Sequence, residues 1–384
     1  MQIKNSGGVQ HYNIRNSSIE ILKIISMLLI CIGHVTQTLG TKFEWVDPSY
    51  VIDLKNTTNS LSHFFLSWMR GFGYQGNLIF FTCSAWFLLG NDKVNKKKVL
   101  YMLADVWIIN FIFALIFKIG NWYDVPIKTF IKCLLPNTFE LNWYITYYLI
   151  IFCIHPFLNK IISSLSRRQL LSFSVIMTIL YFGIDFISGG HFGYNNLILF
   201  INIYFVIAYI KLYLKNYSEN IKQNIIGFFI GIIGTLILML LTNILGQHLT
   251  FFSTKLLHWC QNNNPFALLT AISLFNLFKH REFVNKPINY ISKLTLLIYI
   301  IHENFLLRSY IRPNIWLKIY IRFGYNLIIL KDLCFAIILF LFSIIIACLY
   351  KLLIQKPVYY ICDKLYYILS KIYNKSLNKL LQLN

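Results

Sequence analysis

The stretch IEILKIISMLLICIGHVTQ, residues 19–37, decides the fold of this chain. It is long and apolar enough to cross a bilayer, because a spanning helix needs about 20 mostly apolar residues for a hydrocarbon core of about 30 Å. It nevertheless holds a lysine, Lys23, near its start and a histidine, His34, well inside. No small-residue cleavage site follows it, so we interpret it as a retained helix and not as a removed signal peptide.

The composition extends this interpretation to the whole chain. Of its 384 residues, 57% are hydrophobic and only 13% are charged. A water-soluble domain of this length needs many more charged side chains to cover its surface. Apolar runs recur from one end to the other, which indicates an all-α, polytopic membrane protein and not a soluble domain with a membrane tail.

The length of a spanning helix divides the chain into about ten predicted transmembrane helices, which we expect to surround a polar cavity. No internal repeat and no long linker is visible, so we predict one integral-membrane domain over residues 1–384, with its helical core at about 19–355. The ten predicted spans are 19–39, 73–90, 99–118, 141–160, 170–187, 195–213, 221–245, 264–280, 288–308 and 332–355.

Two further segments are amphipathic. Residues 60–70 are predicted to lie on a membrane face without spanning it. Residues 356–384 alternate Lys and Tyr with Leu and Ile, which is typical of a basic amphipathic tail on the cytoplasmic leaflet.

The distribution of Lys and Arg along the chain predicts how the protein is oriented in the membrane. A formal charge of +21 is compatible with nucleic-acid binding, but the charges fall in short loops between apolar runs, where orientation signals are expected. With the N-terminus inside, the cytoplasmic segments hold 22 Lys and Arg and the external ones 11. We therefore predict a multi-pass protein of the plasma membrane with both termini in the cytoplasm, in contact with membrane lipids and not with nucleic acid.

The predicted loop after the ninth span departs from this trend. A loop of like charges on the outside could meet lipid phosphates or an anionic substrate. The alternative is a miscounted helix. Its five basic residues are Arg308, Arg312, Lys318, Arg322 and Lys331.

The eight cysteines are scattered, and none forms a pair with the spacing of a metal site. Several lie inside apolar runs, where cysteine behaves as a small hydrophobic residue. We predict no metal and assign the cysteines no chemistry.

Lys23 and His34 lie on one face of their helix. They are 11 residues apart, and eleven steps of 100° make three turns plus about 20°. Ser26 and Gln37 fall on the same stripe, and the axial separation of Lys23 and His34 is about 16 Å at 1.5 Å per residue. Lys23 alone could extend to the headgroups, and His34 alone could be a neutral, hydrogen-bonded structural residue. Their shared face favours a functional pair, since ionisable groups at this depth usually face a cavity or a partner.

This pattern resembles the membrane acyltransferase-3 family, whose first helix carries a basic residue, ten intervening residues and a histidine. Lys23 stands where Arg is more usual, so the positive charge is kept but the planar guanidinium group, which can bind in a bidentate way, is lost. Two further stretches resemble the family: GNLIFFTCSAWFLLG, residues 76–90, and the Trp-led NWYITYYLIIFCIHPFLNK, residues 142–160. A third, LTLLIYIIHENFLLR at 294–308, resembles the His-acid-Asn pattern of members from low-GC Gram-positive bacteria.

The resemblance implies transfer of an acyl group, usually acetyl, from acyl-CoA to a carbohydrate hydroxyl. On this basis the candidate catalytic residues are His34, His302 and Glu303. Acetyl-CoA would be the donor, and the candidates for binding its phosphates are Lys23, Lys97 and Lys98. The candidates for binding the acceptor are Trp143, Tyr144 and Gln37.

The acceptor implied is a capsule, exopolysaccharide or wall polymer, or its lipid-linked precursor, and glycan-assembly machinery is a possible partner. His34 would remove the hydroxyl proton, or alternatively would carry the acyl group covalently and relay it across the membrane. Two other functions stay open from the sequence: a glycan transporter or flippase without acyl transfer, and a scaffold or sensor in a glycan-assembly complex.

Overall fold

The structure, a computed structural model, describes residues 15–42, 48–121, 125–189 and 195–381. These residues form helices and connecting loops without a β-strand, which confirms the all-α fold class. The helices in chain order are α1 (Ser17–Leu39), α2 (Leu61–Leu88), α3 (Lys96–Gly120), α4 (Ile127–Leu134), α5 (Trp143–Ser164), α6 (Arg167–Thr178), α7 (Asp185–Ser188), α8 (Asn196–Tyr213), α9 (Lys215–Glu219), α10 (Ile221–Leu245), α11 (Pro265–Lys279), α12 (Lys286–Ser292), α13 (Thr295–His302), α14 (Arg312–Phe323), α15 (Ile328–Tyr350) and α16 (Lys356–Leu381).

Seven helices in the described residues are long and apolar enough to cross a membrane. Their outward faces carry apolar side chains, as on α10, where Ile226, Phe229 and Ile233 are about half exposed. Such a surface suits hydrocarbon and not water. The seven are Ser17–Leu39, Lys96–Gly120, Trp143–Ser164, Arg167–Ser188, Asn196–Tyr213, Ile221–Leu245 and Ile328–Ile372.

The remaining three predicted spans explain why the count of ten is approximate. Helix α2 is long but more polar than the seven, and α11 has only 15 residues. The ninth predicted span is interrupted. The helices are therefore present in the predicted order, while their lengths and continuity differ from the prediction.

Residues 60–70 do not form a separate surface piece, so that prediction was wrong. They begin α2, a continuous helix of 28 residues whose first turn is capped by the side chain of Ser60, which accepts from the backbone N–H of His63. Leu66 and Met69 are buried in the bundle. These apolar contacts draw the segment inward, and the helix continues without a break to Leu88.

The ninth predicted span is interrupted twice, at residues 293–294 between α12 and α13 and again after Glu303, which corrects the prediction of one helix over 288–308. Asn304 explains the break after Glu303. Its Oδ1 accepts from the backbone N–H groups of Leu306 (3.1 Å) and Leu307 (3.4 Å), and its Nδ2 donates to Asn110 Oδ1 at 3.0 Å. An asparagine side chain can replace the backbone hydrogen bonds that a helix loses at such a point.

The break also changes the position of the basic residues that follow it. The chain continues through a π-helical turn, Leu307–Ile311, into α14. Arg312 is only 2% exposed and lies inside the bundle, not in an outward-facing loop of like charges. Lys318 and Arg322 lie farther along α14 and are exposed.

The C-terminal tail continues α15 instead of forming an independent helix. A π-helical turn, Lys351–Gln355, joins α15 to α16, and the Asp105 carboxylate of α3 binds both sides of that turn. It accepts from the hydroxyls of Tyr350 (2.9 Å) and Tyr359 (2.8 Å) and from the Gln355 amide (3.1 Å). The tail is thus held to α3 by one buried and two partly buried hydrogen bonds.

Glycines allow α1 and α2 to pack with their backbones in contact. A Cβ on Gly33 would overlap the backbone of Gly73, and a Cβ on Gly76 would overlap the backbone oxygen of Ser26. Small residues at such crossings permit close helix approach in membranes. This crossing sets the position of His34, the residue that follows Gly33.

We predict that Gly76→Ala destabilises the protein by about 1–3 kcal/mol through overpacking. The substitution should lower the melting temperature of the detergent-purified chain, although alanine is intrinsically the better helix former by about 1 kcal/mol.

Gly183→Ala is the matched control, because a Cβ there would meet only the Ile179 Cγ2 methyl group at 4.0 Å. Equal melting temperatures for the two variants would contradict the close crossing.

Candidate active site

The break after α13 places His302 and Glu303 beside His34 of α1. The His34 Nδ1 atom lies 3.2 Å from His302 Nε2 and 3.2 Å from Glu303 Oε1. All three side chains are buried, with exposed fractions of 7%, 0% and 3%. The structure thus brings the three predicted catalytic residues into one cluster.

The hydrogen-bond pattern assigns the protons on the two rings. His302 Nδ1 lies 2.8 Å from the backbone oxygen of Ile298, which can only accept, so this nitrogen carries a proton. In the neutral ring His302 Nε2 is then an acceptor. Both neighbours of His34 Nδ1 are therefore acceptors, and His34 Nδ1 must donate. The lone pair of the neutral His34 ring is consequently on Nε2.

Glu303 is held by two arginines that follow it in the chain. Arg312 Nη1 donates to Oε1 at 2.8 Å, and Arg308 Nη1 donates to Oε2 at 3.1 Å. Arg312 also donates to the backbone oxygen of His302 at 3.4 Å. A carboxylate buried at this depth requires such partners, because an unpaired buried charge is strongly destabilising.

The roles of Arg308 and Arg312 were missed from the sequence. Both were assigned to an outer loop, since hydropathy shows only that an apolar run ends near Arg308. The available signal was a buried acid followed by two arginines, five and nine residues later. It could be interpreted only once the chain was known to turn back after Glu303.

His34 faces a polar cavity of about 410 Å³. Its Nε2 atom has no hydrogen-bond partner among the described residues. This atom is not fully buried, so it is exposed to the cavity that His34 lines. The other side chains that line it include amides, one tryptophan and two arginines: Gln37, Asn77, Asn196, Gln261, Asn262, Trp143, Arg70 and Arg308.

The cavity lies at the end of the bundle where α1 finishes and where α2, α5 and α8 begin. It adjoins a second cavity of about 430 Å³, with which it shares Gln37, Arg70, Tyr74 and Gln261. The second cavity is also lined by loop residues such as Asp53 and Lys55. The two together form a polar route from the loops at this end toward His34.

The predicted acceptor-binding residues divide between the cavity and the core. Gln37 and Trp143 line the cavity. Tyr144 is 4% exposed and packs in an aromatic cluster, with ring centroids 6.0 Å from Phe80 and 5.9 Å from Tyr299. Its hydroxyl has no hydrogen-bond partner among the described residues.

The predicted donor-binding lysines lie at the opposite end of the bundle. Lys23 donates to Glu20 Oε1 at 3.3 Å. Lys98 lies over the ring of Phe152 at 5.0 Å, near enough to Lys23 for the two positive charges to repel each other. Lys97 is directed elsewhere, since its Nζ is 2.8 Å from Asp363 of α16. Lys23 and Lys98 therefore lie in one basic region, whereas Lys97 forms an ion pair with α16.

The cluster also has the composition of a metal site. Ligand atoms of His34, His302 and Glu303 lie within 4.8 Å of one another, and two imidazoles with a carboxylate suit several divalent metals. The two guanidiniums on Glu303 oppose an added cation by charge. The hydrogen-bonded arrangement already accounts for the contacts, and the absence of a metal stays a prediction.

These features define a class of protein: a helical membrane protein with a buried imidazole whose orientation is set by a carboxylate and whose free nitrogen faces a polar cavity. Such an imidazole can take and return a proton during attack by a hydroxyl.

A family model described as "Acyltransferase domain" matches residues 16–352. The chain belongs to this family, acyltransferase-3, which confirms the family expected from the sequence and supports acyl transfer in general. No curated protein and no solved structure matches the chain.

We predict that Glu303→Gln lowers acyl transfer by about 10² or more, because His34 loses the charge that supports its protonated form. The same change leaves the buried guanidinium of Arg312 and the partly exposed one of Arg308 without their shared carboxylate, so it should also cost stability, by about 3–5 kcal/mol. Acyl-transfer rate and melting temperature measure the two effects.

Glu219→Gln is the control, since Glu219 forms a single exposed pair with Lys215 at 3.8 Å. If Glu303→Gln behaved like this control in both measurements, the contacts of Glu303 with His34 and the two arginines would contribute neither to activity nor to stability.

We predict that acyl transfer persists after dialysis against a strong chelator, and that the purified protein contains no stoichiometric transition metal by elemental analysis. Loss of activity on chelation, with recovery on adding zinc or iron, would instead assign the cluster of His34, His302 and Glu303 to a metal.

Proposed function

We propose that this protein transfers an acyl group, most simply acetyl, from acyl-CoA to a hydroxyl of a cell-surface polysaccharide or of its lipid-linked precursor. It would act in the plasma membrane with both termini in the cytoplasm. It would be a family member of the type found in low-GC Gram-positive bacteria. The observation that carries the proposal is the exposure of His34 Nε2 to a polar cavity while Nδ1 is held by His302 and Glu303.

The reaction follows from these positions. An acceptor hydroxyl in the cavity donates its proton to His34 Nε2 as its oxygen bonds to the thioester carbonyl carbon. The carbonyl electron pair moves to oxygen and gives a tetrahedral oxyanion. When the C=O bond re-forms, the C–S bond breaks and the departing thiolate takes the proton from His34.

Glu303 and His302 would act as positioning residues in this reaction. Protonation of Nε2 turns His34 into an imidazolium, whose Nδ1–H remains directed at the Glu303 carboxylate. This arrangement stabilises the positive charge without moving a second proton, as in other imidazole–carboxylate pairs.

The donor would approach from the end of the bundle that carries Lys23 and Lys98. Lysine ammonium groups attract phosphates as point charges, which suits the pyrophosphate and ribose phosphate of coenzyme A. Arg15, 3.6 Å from Glu20, adds a further cation there. On the proposed orientation this end faces the cytoplasm, where acyl-CoA is made.

The acceptor would enter from the opposite end. Amide side chains and a tryptophan line the cavity there, and such groups suit sugar hydroxyls and sugar faces. On the proposed orientation this end faces outward, where surface glycans are assembled, and glycan-assembly proteins are the expected partners.

The same geometry is compatible with a two-step route. His34 Nε2 would attack the thioester carbonyl and release the thiolate, and the acceptor hydroxyl would then attack the acyl-imidazole. Rapid quenching with a radiolabelled acetyl-CoA distinguishes the routes, because only the two-step route leaves label on His34.

We predict that His34→Gln lowers thiol release by about 10²–10⁴-fold, because the acceptor proton then has no base. The assay uses purified protein in detergent, acetyl-CoA, and polysaccharide isolated from a strain of the source organism that lacks the gene. His248→Gln, a substitution of an exposed loop histidine, is the control. Membrane abundance of both variants should equal that of the unmodified protein.

Three results would contradict the proposal. Movement of glycan across vesicles without thiol release would favour a transporter. Unchanged glycan esters in cells that carry His34→Gln, together with their loss on gene deletion, would favour a scaffold. Thiol release that is independent of His34 would remove the proposed base.

A further inference from the structure

Arg70 is a charged residue inside α2 that the reaction described above does not use. It lies nine residues beyond the start of the helix at Leu61, which is about 14 Å along the axis. Within the part of the chain that the structure describes, its guanidinium has no carboxylate partner within 4.0 Å. Its one hydrogen bond there goes to the Tyr74 hydroxyl at 3.4 Å, and the same ring lies 4.9 Å from the guanidinium.

The side chain is directed toward the reacting end of the cavity. A helical side chain normally leans toward the N-terminus of its helix, and an arginine that extends to the headgroups near the start of α2 would do the same. Arg70 instead bends the other way, and its Nη1 lies 3.7 Å from the position of a Cβ on Gly73. Gly73 is the residue that contacts Gly33, the neighbour of His34. Arg70 therefore reaches over the helix crossing at which His34 enters the cavity.

Two observations indicate that this part of α2 faces a ligand. A guanidinium has five N–H donors, and the contacts above use one of them. Asn77, on the same wall of the cavity, is 2% exposed, and its Oδ1 has no hydrogen-bond partner among the described residues. An unused acceptor at a buried position is costly unless a ligand or water completes it, and the half-buried Arg70 has donors left for the same ligand.

The charges around the cavity identify the chemistry of that ligand. Arg308 also lines it, but its guanidinium is paired with Glu303. Glu140 lines the cavity too, and it forms no ion pair among the described residues. Of the two arginines of this cavity, Arg70 is therefore the one that no described carboxylate pairs with. A group in this position suits a negatively charged oxygen opposite His34.

We propose that Arg70 is a further catalytic residue, which donates hydrogen bonds to the oxyanion that forms on the carbonyl oxygen of the transferred acyl group. The inference rests on the proposed function. In the steps given there, the electron pair of the C=O bond moves to an oxygen that Arg70 contacts and returns when the C–S bond breaks. His34 handles the proton, and Arg70 handles the charge on oxygen.

The test compares Arg70→Gln and Arg70→Lys with the unmodified protein in the thiol-release assay, with acetyl-CoA and polysaccharide from the deletion strain. Loss of an oxyanion donor typically lowers kcat by about 10²–10³-fold. We expect a loss of this size in kcat for Arg70→Gln, with little change in KM for the polysaccharide. Arg70→Lys should recover part of kcat, because it keeps the charge without the planar fork.

Lys318→Gln is the matched control, since it removes one positive charge from an exposed position of α14 that lines neither cavity. Its kcat and KM should equal those of the unmodified protein. Size-exclusion elution and melting temperature show whether each variant is folded, and Arg70→Lys carries the test if Arg70→Gln does not fold.

An alternative role for Arg70 is to bind a carboxylate of an acidic acceptor. In that case Arg70→Gln would raise KM and leave kcat unchanged, and the defect would disappear on polysaccharide whose uronic acids have been reduced to alcohols. That result would overturn the proposal, as would an unchanged kcat in Arg70→Gln. Unmodified protein without thiol release would refute the proposed function itself, whereas activity that depends on His34 but not on Arg70 would refute this inference alone.

Discussion

The central interaction in this structure is the Glu303 carboxylate held between two guanidiniums inside a membrane-spanning bundle. A carboxylate there is tolerated only when charged partners surround it. Those partners, Arg308 and Arg312, follow Glu303 closely in the chain. A straight helix would place Arg312 about 14 Å farther along its axis, at 1.5 Å per residue. The chain must therefore stop being a helix after Glu303, and it does.

Asn304 makes this interruption possible. Its side chain accepts from the backbone N–H groups of the next turn and donates to Asn110 of α3, so the freed polar groups of the break are satisfied inside the protein. Irregular backbone at membrane depth is stable only under that condition. The sequence His302-Glu303-Asn304 thus combines a hydrogen-bond acceptor for His34, the anion that supports it, and the side chain that lets the backbone present both.

The extent to which the sequence predicted the site follows from what periodicity can detect. The shared face of Lys23 and His34 is a property of one regular helix, so residue spacing was sufficient. The depth of His302 and Glu303 was expected from the length of the apolar run. The break was not, because hydropathy treats residues 288–308 as one run and does not detect a side chain that caps the backbone. The continuity of α2 was missed for a related reason, since Ser60–Arg70 is amphipathic and its burial depends on neighbouring helices.

The arrangement around His34 has a further electrostatic consequence. Arg312, Glu303 and His34 are in contact in that order. In the proposed reaction the carbonyl oxygen of the acyl group would follow His34, and Arg70 would follow that oxygen. In the tetrahedral intermediate of the proposed reaction these groups carry positive, negative, positive, negative and positive charge in turn. Each charge that develops during the reaction then has an opposite charge beside it before the reaction begins, which is the condition for electrostatic preorganisation in a site of low dielectric constant. The close crossing of α1 and α2 at Gly33 and Gly73 fixes the last part of this series, because it sets where His34 and Arg70 meet the cavity.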